Sequence, residues 1–88
     1  MSWIYPPELV EGLSLVGITP SPEAAPAVTR EIADDLYRDE LRRLRARLLS
    51  GEFDRAHYVE LIVALRKQFW VLTLPLYAWE KIVVEKPG

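Results

Sequence analysis

Apolar residues recur through the middle of this chain at spacings of three and four: Ile32, Leu36, Tyr37, Leu41, Leu44, Leu48 and Leu49. That period gathers them on one side of an α-helix of about five turns. Thr29 stands ahead of the run as its cap, and Glu31 falls in the first turn. The early side chains are acidic (Glu31, Asp34, Asp35, Asp39, Glu40) and the late ones basic (Arg42, Arg43, Arg45, Arg47), which complements the helix dipole at both ends. Asp34 with Arg38 and Asp39 with Arg43 are spaced four apart, each pair adding roughly 0.2–0.5 kcal/mol. Ser50-Gly51 ends the helix, the glycine supplying a left-handed residue.

A second stripe follows at once. Asp54 is placed to cap a helix carrying Tyr58, Ile62, Leu65, Phe69 and Leu72, with Phe53 ahead of the cap as a staple against Tyr58. The link Glu52-Phe53-Asp54 is short, so the two helices become antiparallel neighbours. The fold class expected is all-α, a small antiparallel helical hairpin over residues 29–70.

The two ends read differently. Residues 1–28 hold five of the seven prolines, at positions 6, 7, 20, 22 and 26, together with Gly12 and Gly17, which excludes one long helix. Yet Trp3, Ile4, Tyr5, Leu9, Val10, Leu13, Leu15, Val16 and Ile18 are too apolar to stay in water. The segment reads as an extended, Pro-rich apolar arm with one turn beginning at Pro7. At the other end, Thr73 and Pro75 open a short helix carrying Leu76, Trp79 and Ile82, whereas the β-branched run Ile82-Val83-Val84 equally suits a strand. The organisation is then an arm over 1–28, a hairpin domain with a short C-terminal element over 29–84, and a tail over 85–88.

Composition narrows the chemistry. Without cysteine there are no disulfides, thiolate nucleophiles or thiolate-held metals. The net charge of -2, with both signs mixed, gives no general argument for a polyanionic partner. The N-terminus lacks the pattern of a signal peptide, and the apolar stretch Phe69–Trp79 falls short of the roughly 20 residues that cross a bilayer. A cytoplasmic protein is expected.

The candidates for catalysis are weak. His57 is the only histidine, and Glu52 and Glu60 nearby are the ordinary furniture of a helix surface rather than a ligand set. Asp35 and Asp39 share a face, but arginines and the dipole already account for them. Gly12 and Gly17 do not make a phosphate loop, and Ser14, Ser21 and Ser50 have no histidine context. No catalytic, cofactor-binding or metal-ligating residue is assigned, and no cofactor is expected.

Binding is better supported. Three Trp, four Tyr and two Phe are a heavy load for 88 residues, which bury only about 60–65% of their unfolded surface. An anchor patch is expected from Trp3 and Tyr5 in the arm and Trp70, Leu74, Leu76, Tyr77 and Trp79 at the far end. Adjacent Phe69 and Trp70 point about 100° apart on a helix, so one of them should face outward. Arg38, Arg42, Arg43, Arg45 and Arg47 form a second candidate surface, for an acidic partner or nucleic acid. The function expected is a non-catalytic accessory or regulatory subunit that docks on a larger protein or pairs with itself. The alternative is a nucleic-acid-associated helical module using the stripe from Arg38 to Arg47.

Overall fold

The computed structural model describes residues 1–87. The chain runs through β1 (Ser2–Ile4), α1 (Pro7–Ser14), α2 (Pro26–Leu49), α3 (Arg55–Gln68), a 3₁₀ turn (Trp70–Thr73), α4 (Leu76–Ile82) and β2 (Val84–Lys86). It is mostly helical. The expected extended arm is instead a strand, a two-turn helix and a turn. Pro7 takes the first helical position of α1, where its missing N–H costs nothing, and Glu8 follows in the first turn. Gly17, at φ +79°, closes α1, and the Ile18 N–H donates back to the Leu13 carbonyl (3.0 Å).

The expected C-terminal tail is also corrected for its described part. Val84–Lys86 pairs antiparallel with Ser2–Ile4, Trp3 standing opposite Glu85, so the two ends of the chain are tied together. Backbone pairing captures what composition alone assigns to solvent. Gly88 lies outside the described residues.

The long helix starts earlier than its apolar period predicts. Pro26 occupies its first position behind an extended Ala25, and Thr29 is not a cap but a buried residue one turn inside. The Tyr5 hydroxyl donates to the Ala24 carbonyl (2.7 Å), which leaves Thr29 Oγ1 to donate to Tyr5 Oη (2.7 Å). One turn on, Arg30 donates from Nε to the Leu74 carbonyl (3.0 Å) and from Nη2 to that of Leu72 (3.3 Å). These contacts fasten the start of α2 to the segment that follows β1 and to the 3₁₀ turn before α4.

The interior has two parts. At the base, Leu9, Leu13, Ile18, Ala33, Val71, Trp79 and Val83 form a buried cluster, with Trp3, Tyr5 and Trp70 packed around it. Along the α2–α3 pair, Leu44, Leu65 and Phe69 form a second, flanked by Tyr37, Leu41, Tyr58, Leu61 and Ile62. Val16 and Leu72 touch both. Tyr37 meets Phe69 at one end of the pair, ring centroids 5.3 Å apart, and Leu48 and Leu49 lie beside Tyr58 and Val59 at the other, so α2 and α3 run antiparallel.

The link is tightly made. Gly51 is left-handed (φ +81°), Arg47 donates from Nε to Glu52 (2.6 Å) while its guanidinium covers the Phe53 ring, and Asp54 Oδ1 accepts from the His57 N–H (2.8 Å). The Phe53 ring stacks on Tyr58. The resulting molecule is a rod of 53 × 19 × 16 Å with a radius of gyration of 15.4 Å, against about 12 Å for a compact chain of this length.

Candidate protein-docking face

The helix pair projects from the base with too few apolar neighbours to cover it. Leu49 is 77% exposed and Val59 is 55% exposed, and together with Leu48 and Tyr58 they line a groove of about 430 Å³. Arg45 stands on one rim and Arg55 on the other. Helical spacing extends this flank. On α2 it runs through Arg38, Arg42, Arg45 and Leu49, and on α3 through Arg55, Val59, Ile62 and Arg66.

The five arginines of the expected stripe are therefore divided. Arg38 is held by Asp34 (2.9 Å). Arg43 pairs with Asp39 (2.8 Å) and Glu40 (3.0 Å), and Arg47 is engaged with Glu52, so three of the five have acidic partners within the chain. Arg42 and Arg45, and with them Arg55 and Arg66 on α3, make no ion pair among the described residues. The α3 arginines are missed by a reading confined to α2, because their neighbourhood depends on how the two helices pair.

A second unpartnered surface lies on the outer face of α2. Val28, Ile32 and Leu36, spaced by four, are all exposed, Ile32 at 48%. The expected core stripe of α2 included Ile32, Leu36 and Leu49; the structure corrects this. The buried line is Ala33, in the base cluster, continued by Tyr37, Leu41 and Leu44 against α3, while Ile32 and Leu36 point about 100° away from Ala33 and Tyr37 respectively and stay outside it. Glu31 and Asp35 flank the exposed ridge and make no ion pair among the described residues.

The aromatic residues expected as anchors are mostly drawn inward. Trp79 is 0% exposed, its Nε1 donating to the Val71 carbonyl (3.0 Å), so its ring offers no surface. Trp70 is half-buried against α1 rather than outward. The reason is the 3₁₀ turn after Gln68. It leaves Phe69 in the α2–α3 cluster and turns Trp70 into the base cluster, so the two rings serve different interiors. Trp3, Tyr5 and Leu74 are partly buried in the same base cluster. Leu76 and Tyr77 remain outside, Tyr77 at 65%, with the Lys81 ammonium over its ring (5.7 Å). A shallow groove lined by Trp3, Tyr5, Val10, Pro20 and Pro22 keeps part of the N-terminal aromatic set accessible.

The titratable groups add little chemistry. His57 faces Glu60 across 3.7 Å on the surface of α3. Among the described residues no three His, Cys, Asp or Glu side chains converge on a metal position, and no helix is long and apolar enough to cross a membrane. Burial raises the Tyr5 pKa above its usual 10.0, and the hydrogen bond from Thr29 offsets part of that rise. No protein-family model, curated protein or solved structure matches this chain significantly.

Proposed function

We propose that this protein is a non-catalytic accessory or regulatory subunit of a larger protein assembly, holding a neighbouring chain through the flank of its α2–α3 pair. The observation that carries the reading is the groove of Leu48, Leu49, Tyr58 and Val59 between Arg45 and Arg55. Large apolar side chains at the centre with arginines at the edge are the composition of a protein interface. Covering the groove gains the burial that the rod cannot supply from its own residues, at about 25 cal/mol for each Å² removed from water.

Residue-specific photo-crosslinking tests this. A crosslinking side chain at Val59 of the full chain, in its own cells, is expected to give an adduct with a protein, and Leu49→Asp with Arg45→Glu is expected to abolish it. The same probe at Glu11, on α1, serves as the control. No adduct from Val59, or an equal one from Glu11, would remove the reading.

The unpaired Arg42, Arg45, Arg55 and Arg66 support a second reading, a nucleic-acid-associated module whose arginines lie along phosphates. Its mark is an affinity for DNA or RNA that falls steeply with salt and is lost in Arg42→Glu/Arg45→Glu. The exposed leucine and valine between those arginines favour the protein reading, because phosphate contact gains nothing from them.

A further inference from the structure

We infer that the chain seated on the α2–α3 flank is a second copy of this protein, arranged antiparallel about a twofold axis. The inference rests on that flank being a docking face and names its occupant. What the groove asks of a partner is an apolar contact bordered by carboxylates, because it is lined by Leu48, Leu49, Tyr58 and Val59 together with Arg45 and Arg55. The first half of α2 supplies both. Val28 stands exposed there, near Glu31, Asp34 and Asp35, and Glu31 and Asp35 make no ion pair among the described residues.

Charge order along α2 makes the match self-complementary. Its first half is acidic and its second half basic, so two such helices placed antiparallel bring unlike charges together twice. The register that overlaps nearly all of α2 sets Val28 level with the partner's Leu48. It also sets Glu31 level with the partner's Arg45, and Asp34 with the partner's Arg42. Arg38 then sits at the axis, where its own Asp34 already compensates its charge (2.9 Å). An isologous contact of this kind engages the acidic and the basic half of α2 in both copies and closes on itself. A foreign acidic helix would fill the groove and leave Glu31 and Asp35 without a cationic partner.

Shape gives the flank room. α2 has 24 residues and is about 36 Å long. A stable interface takes about 800 Å² from each partner, and this chain exposes 6080 Å² on a rod 53 Å long. Two rods side by side make a bundle in which the thin α2–α3 seam becomes interior.

Sedimentation equilibrium of the full chain tests the proposal, with variants that reverse charge across the contact. The wild-type protein is expected at twice its monomer mass. Glu31→Arg alone and Arg45→Glu alone are each expected to weaken the dimer about tenfold or more, and the double exchange to recover most of the loss. Val28→Glu and Val59→Glu, both at exposed positions, should dissociate it with unchanged circular dichroism. A wild-type monomer at every concentration would overturn the inference, as would a dimer indifferent to these four positions or a double exchange that fails to recover. A monomer whose Val59 probe still crosslinks to a different protein overturns the second copy and leaves the docking face standing. A monomer with no Val59 adduct overturns both.

Discussion

The ring of Trp70 lies against the backbone of α1 at Gly12, so closely that a Cβ built on that glycine would come within 2.5 Å of its Cζ2 and 2.6 Å of Val71 Cγ1. Gly12 is buried in the middle of a helix, where glycine costs about 1 kcal/mol relative to alanine. The close approach of α1 to the 3₁₀ turn offsets that cost. Gly12→Ala is expected to destabilise the protein by about 1–3 kcal/mol, measured by urea unfolding, despite its better helix propensity. Trimming the ring in Gly12→Ala/Trp70→Leu should make the glycine change milder than it is alone, a coupling that a double-mutant cycle reads directly.

Trp79 and Tyr77 make the contrast between core and surface measurable on one short helix. Trp79 is fully buried and its Nε1 satisfies the Val71 carbonyl, so Trp79→Ala should cost about 3–5 kcal/mol and approach complete unfolding. Tyr77→Ala, at a ring that is mostly in water, should change stability by no more than about 0.5 kcal/mol. Thermal melts of both variants check this, and an equal loss from Tyr77 would mean that its ring is covered in solution.

Alkaline pH should act through Tyr5. Its folded pKa lies above the usual 10.0 because burial disfavours the phenolate, so the unfolded chain releases this proton first as pH rises. The contribution is therefore whole below pH 10.0 and is lost as pH climbs through the higher folded value. Deprotonation also removes the hydrogen that Tyr5 donates to the Ala24 carbonyl. Tyr5→Phe should be less stable at neutral pH, and its stability should decline less as pH rises above 10.0 than that of the wild type. Parallel slopes would show that this hydroxyl does not titrate differently in the folded state.

Much of the helical framework was legible from local rules. Asp54, Phe53 and Gly51 do locally what their types suggest, and the 3.6-residue period marks α2 and α3. What escaped depends on long-range pairing. Nothing in Val84–Lys86 announces that Ser2–Ile4 will meet it, and Thr29 resembles a cap until Tyr5 is brought to it from 24 residues away. The site divided in the same way. Arg42 and Arg45 could be picked out along α2, but which arginines stay unpaired, and that Arg55 joins them, follows from the helix pairing. Apolar content places Trp79 among the anchors because it does not say which ring goes inside, and the fold buries that ring.

The two clusters differ in depth, and that difference should appear in hydrogen exchange. In the base cluster all but Ile18, at 9%, are 0–2% exposed, whereas Leu44, Leu65 and Phe69 reach 5–9%. The far end of the α2–α3 pair is covered on one side only, so it can open while the base stays folded. Amides around Leu44–Leu48 and Leu61–Leu65 of an isolated copy are expected to exchange at a lower free energy than those of Leu13 or Ala33. In a dimer through the arginine flank, protection of these distal amides should rise with protein concentration, while that at the base should rise only insofar as global unfolding sets it. Equal protection at both ends in dilute solution would show that the rod opens as one cooperative unit, its thin seam no weaker than its base.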